Sequence, residues 1–133
     1  MVKKVKLTPA EWEIMNAIWE MEGECSVRDV LEHSYANGEK AYTTIQAFMN
    51  ILEKKNILQR RKIGLVNFYT PSRSRDEVVN AEISSILSKI FYGSVSALAS
   101  SLMSMENVNL DEIKRIKTLI NKKEKELEKD NHE

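Results

Sequence analysis

The stretch 41–56, continued at once by 57–69, constrains this chain more than any other. On a helical wheel Ile45, Phe48, Met49 and Leu52 fall on one side, and Thr43, Gln46, Ala47, Asn50 and Lys54 on the other. An ordinary solvent-facing helix carries Glu/Lys pairs four residues apart. This one presents small, uncharged hydrogen-bonding side chains and a single lysine. Amides and hydroxyls suit base edges, because Gln and Asn pair with adenine through two bonds and Thr can donate or accept. The segment after this helix is basic and alternating, which predicts a hairpin. Residues 58–62 and 66–70 are its strands and Ile63, Gly64 and Leu65 its turn, with Leu58 and Phe68 inward and Arg60 and Lys62 outward. Helix then basic hairpin is the sequence shape of a winged helix-turn-helix, which points to DNA.

Charge placement agrees with that shape although the net charge of the 133 residues is zero. Between Pro9 and Glu39 one basic residue stands against eight acidic ones; between Lys40 and Arg73 seven basic residues stand against Glu53 alone. A basic stretch confined to one helix and its hairpin is a phosphate footprint, where a solvated charge run would be the plain alternative. With 42% hydrophobic and 30% charged residues the chain reads as a soluble globular protein of one or two small domains. No apolar run approaches membrane-span length, and the first residues lack the apolar core of a signal peptide. Cys25 is the only cysteine, which excludes an internal disulfide and fits a reducing cytoplasm. Cys25 and His33 complete no ligand or nucleophile set, so neither a metal nor another cofactor is expected, and an enzyme is the least favoured class.

Ahead of the central stretch, Thr8, Pro9 and Glu11 form a helix start with a capping box, and Leu7 and Trp12 occupy the staple positions. Ile14, Met15, Ile18 and Trp19 continue the apolar stripe to about Met21, and Gly23 ends it. Both tryptophans read as core. Ser26 and Asp29 open a second, shorter helix to about Ser34, and Asn37-Gly38 is the tightest point of the turn after it. The start of the third helix is open. Thr43 and Gln46 could form a capping box that consumes both side chains; a start at Ala41 or Tyr42 leaves them facing outward.

Pro71 and the polar 72–75 mark a domain boundary, giving a winged-helix domain at 1–72 and a helical domain at 73–133. In the second, Val79, Ile83, Ile86, Leu87, Ile90 and Phe91 line a long helix that Gly93 breaks. Val95, Leu98, Ala99, Leu102 and Met103 line a shorter one. Asn109 and Glu112 predict a capping box opening the last helix, whose stripe is Ile113, Ile116, Leu119, Ile120 and, further on, Leu127, with charge dominating from Lys122 and fraying toward Glu133. Three striped helices in about sixty residues make a weak core alone. A two-fold homodimer would bury Ile83, Ile86, Leu87, Ile90, Leu98, Leu102, Ile113, Ile116 and Ile120 and supply two reading heads about 34 Å apart. A monomer whose tail folds back is the alternative.

On the block from Leu7 to Trp19, on Tyr42-Thr43-Thr44-Ile45-Gln46 with 52–58, and on Phe68-Tyr69, the chain resembles the penicillinase-repressor family of bacterial regulators, the BlaI, MecI and CopY type. The resemblance spans nearly the full length. It implies a mainly α fold with a small β-hairpin wing: a winged helix-turn-helix domain followed by a three-helix dimerisation domain. It further implies a homodimeric repressor on a palindromic operator, and it favours a third helix starting near Ala41. The chain departs from the family at Ile51, where members commonly carry Arg, and at Ala47, where they carry Thr. The copper-responsive branch has a C-terminal Cys-x-Cys pair that this chain lacks. In the β-lactam-responsive branch a sensor protease cuts an Asn-Phe bond, and the matching position here is Ser101-Leu102.

The expectation is therefore a cytoplasmic, homodimeric DNA-binding repressor of the β-lactam-resistance type. Thr43, Thr44, Gln46, Ala47 and Asn50 meet base edges, and Lys54, Arg60, Arg61 and Lys62 meet phosphates. The rival is a winged-helix module that binds protein rather than specific DNA.

Overall fold

The computed structural model describes residues 6–131. Its first helix, α1 (Pro9–Met21), starts as expected: the Thr8 hydroxyl accepts the Glu11 amide at 3.2 Å, and the Glu11 carboxylate accepts the Thr8 amide at 2.8 Å. Ile14, Met15, Ala17 and Ile18 are buried, and Leu7 packs in from the residue before the cap. The helix ends where Glu22 and Gly23 both take positive φ, the left-handed region that glycine enters without a Cβ clash. Trp12 and Trp19 sit seven residues apart with ring centroids 6.1 Å apart, partly buried at the core's edge. The Trp19 indole N–H donates to the Arg73 carbonyl at 3.0 Å.

A two-residue strand, β1 (Cys25–Ser26), leads into α2 (Val27–Ser34), which Ser26 and Asp29 cap reciprocally. α3 (Tyr42–Lys54) contributes Ile45, Met49 and Leu52 to the core, all fully buried. β2 (Leu58–Ile63) and β3 (Val66–Pro71) form the hairpin, and the sheet order is β1-β3-β2, all antiparallel. Periodicity does not reveal the third strand, because two residues carry no detectable period. The inward set also differs: Tyr69 is fully buried and Phe68 only partly. Partners in an antiparallel ladder share a face. Leu58, Arg60 and Lys62 therefore share one with Pro71, Tyr69 and Asn67. The core reaches only as far as Leu58 on β2, so distance from the core, not alternation, leaves Arg60 and Lys62 exposed.

α4 (Arg75–Phe91) crosses between two compact units, one ending at Ser85 and the other starting at Ile86. Its first turns belong to the first unit, for three reasons: the Trp19 bond to Arg73, the Arg75 guanidinium donating to Asn16 at 3.1 Å, and burial of Val78 in the N-terminal core. Val78, not Val79, is the buried residue of that turn. In the second unit Tyr92 and Gly93 turn the chain with positive φ, and α5 (Val95–Met103) starts on Ser94, whose hydroxyl accepts the Ala97 amide. α6 (Leu110–Asp130) starts on Asn109, which accepts the Glu112 amide at 2.9 Å. Only that half of the predicted box forms, as Glu112 pairs instead with Arg115 at 3.3 Å. α6 stays helical through the charge-dominated segment to Asp130, and Glu133, toward which fraying is expected, lies outside the described residues. None of the residues of α5 or α6 is buried within the chain. No single helix among the described residues is long and apolar enough to cross a membrane.

Candidate nucleic-acid interface

The open question about α3 resolves in favour of an outward face. Ala41, in extended conformation, is the N-cap and makes no side-chain cap hydrogen bond, so neither Thr43 nor Gln46 is consumed by a capping box. Thr43, Thr44, Ala47, Ile51 and Lys54 form the exposed stripe. Gln46 and Asn50 lie half-buried on the hairpin side of it. Asn50 is partly engaged there: its carboxamide oxygen accepts the Tyr69 hydroxyl at 2.9 Å. Its amide N–H groups remain as donors, but the paired donor and acceptor that read adenine are no longer both open. Gln46 instead lines a groove of about 300 Å³ with Tyr42, Arg28, Ser26 and the hairpin-tip residues Leu65, Val66 and Asn67.

The basic stretch is less bare than its composition. Arg61 is held by Glu24 through two bonds, Nε to Oε2 at 3.0 Å and Nη2 to Oε1 at 2.7 Å. The Arg61 hydrogen bond holds the Glu24 carboxyl below the usual range, and the same bond raises Arg61. Arg60 faces Glu53 at 3.5 Å. Lys55 donates to the Lys6 carbonyl and to buried Glu11 at 2.8 Å. Burial alone would raise the Glu11 carboxyl; the Lys55 and Thr8 hydrogen bonds outweigh it and bring it below the ordinary value. Lys54 and Lys62 are exposed and make no ion pair among the described residues. Of the four predicted phosphate contacts, those two are open, whereas Arg60 and Arg61 must exchange a carboxylate for a phosphate. Cys25 is buried, and burial together with the Asp29 and Glu24 charges pushes its thiol up to about 11, which removes it as a nucleophile.

A family described as Penicillinase repressor matches residues 7–122. The chain belongs to the penicillinase repressor family. Among its relatives, the Methicillin resistance regulatory protein MecI of Staphylococcus aureus is 25% identical over 91% of this chain and 98% of that protein. The Penicillinase repressor of the same species is 26% identical, over 90% of this chain and 94% of that one. Among solved structures, the DNA binding domain of the repressor BlaI matches 58% of this chain and 93% of that chain at 28% identity, with a TM-score of 0.50. These relatives are regulators, not enzymes.

Placement in this family member separates the predicted dimer residues into two groups. Ile83, Ile86, Ile90, Leu102 and Ile120 are exposed within the chain, whereas Leu87, Leu98, Ile113 and Ile116 are partly covered. Sequence reasoning passed over Tyr92 and Leu110, which are exposed as well, and left Val95 and Leu127 of the helix stripes out of the dimer set although both are exposed. Ser101 and Leu102 lie exposed in α5, so a protease would have to unwind that helix to cut between them. Glu24 was also passed over: it lies in the acidic segment, and no local pattern ties it to a strand 37 residues on.

Proposed function

We propose that the chain is a transcriptional repressor that binds duplex DNA in the cytoplasm through α3 and the β2–β3 wing. The observation that carries this reading is the uncapped, outward face of α3 beside an exposed hairpin bearing Lys62. The proposed base-reading residues are Thr43, Thr44, Ala47 and Gln46, with Asn50 contributing donors only, and Lys54 and Lys62 hold the flanking phosphates. Residues 1–72 form the DNA-binding domain and 73–133 the dimerisation domain. The unpartnered apolar surface of α5 and α6 supports a homodimer on a palindromic operator. A sensor protease cutting at Ser101–Leu102 would detach α6 and end that pairing, in keeping with regulators of β-lactam resistance among the relatives.

Enrichment of duplexes from a random pool tests the reading: the full chain should select palindromes. On a selected duplex, Gln46→Ala should lose about 1–3 kcal/mol of discrimination at one base pair. Weak binding indifferent to salt would indicate a protein-docking module instead. Glu24→Gln gives a separate check of the wing. It releases Arg61, so affinity for any duplex should rise and the salt slope should steepen by about 0.9, the value for one further phosphate. Gel-shift titrations between 50 and 200 mM salt, a range on the order of that used for counterion slopes, read both.

A further inference from the structure

The centre of the exposed stripe on α3 is apolar. Ile51 is 42% exposed, one turn after exposed Ala47 and three residues before Lys54. The core does not need it, since Ile45, Met49 and Leu52 already fill the buried side of this helix. Helix propensity does not favour it either, because a β-branched side chain loses rotamer freedom there. Single exposed apolar residues are common on protein surfaces. This one, however, lies within the polar face assigned to base reading, continuous with Thr43 and Thr44. The one apolar group that the major groove offers is the C5-methyl of thymine. We infer that Ile51, with Ala47 beside it, reads a thymine methyl in each half-site, a specificity by shape and desolvation where a hydrogen-bonding side chain would read an edge. Two aliphatic groups one helical turn apart are neighbours on the surface, so together they form a single apolar patch.

The inference rests on the DNA-binding reading above, and one probe separates the two. The duplex enriched by the full wild-type chain is remade with deoxyuridine at one thymine at a time, which removes the methyl and leaves every hydrogen-bonding group in place. Loss of one methyl contact should weaken wild-type binding about fourfold at one thymine per half-site. Ile51→Ser should bind the unmodified duplex more weakly by a similar factor and be indifferent to deoxyuridine at that thymine. It should keep any penalty at other positions. Ile51→Ala provides a second variant with less polarity, and unchanged unfolding midpoints for both confirm an intact fold. Wild-type indifference at every thymine overturns the inference while the DNA reading stands. Equal penalties in wild type and Ile51→Ser overturn it too. Failure of the pool to yield any enriched duplex overturns both.

Discussion

Replacing Leu119 and Ile120 together by glutamate is expected to lower affinity for a palindromic duplex by about 10²–10⁴-fold while leaving a single half-site duplex almost unaffected. Both residues are more than half exposed on α6, so the substitution removes no packing within the chain. In a two-fold assembly the same side chains would be buried twice over, and four carboxylates in that apolar contact carry a desolvation cost without partners. Without the second head, binding to the second half-site is no longer intramolecular, and the gain from effective concentration is lost. Sedimentation at micromolar concentration should show a dimer for wild type and a monomer for the variant. A wild-type monomer, or a variant that keeps full palindrome affinity, would rule out this arrangement.

The second large effect concerns Glu11, which is buried yet charged. Its Oε1 accepts both the Lys55 ammonium and the Thr8 amide, while Oε2 is buried without a hydrogen-bond partner among the described residues. Through Lys55 it fastens the C-terminal end of α3 to α1. Removing one member of a buried pair strands the other, although Lys55 is one-third exposed and regains some water. Glu11→Ala, which also loses half of the capping box, should cost about 2–4 kcal/mol in urea unfolding at neutral pH. Because the folded carboxyl titrates below its ordinary value of 4.5, its stabilisation is complete above that pH. It is lost as pH falls through the lower, folded value. The gap between wild type and Glu11→Ala should therefore narrow below about pH 4.5, and Glu11→Gln, which can still accept the Thr8 amide, should lie between them. A gap that stays constant with pH would mean the carboxylate charge contributes nothing.

Much of the fold was legible locally. Thr8 with Glu11 and Ser26 with Asp29 are signals three residues apart, within reach of one helical turn, and both boxes form. The α3 stripe was legible for the same reason, since Ile45, Met49 and Leu52 follow a period of 3.6. Asn109 with Glu112 shows the limit of such signals: the same spacing yields only half a box because Arg115 competes for the carboxylate. The wing was legible as a hairpin but not in its inward set, because alternation names two faces and cannot say where the core ends.

By itself the sequence determined where α1, α2 and α6 begin, which side of α3 meets the core, that a hairpin comes next, and the family. Those properties are carried by neighbours within a turn or a strand, or by motifs that survive as strings. Only the tertiary structure decided that α3 starts without a side-chain cap, that Tyr69 takes the oxygen of Asn50, and that Ile51 stands at the centre of the exposed stripe. It alone paired Arg61 with Glu24 and put Val78 in the N-terminal core. These contacts join residues 19 and 37 positions apart or depend on how much room a neighbouring element leaves, and no local period encodes either quantity.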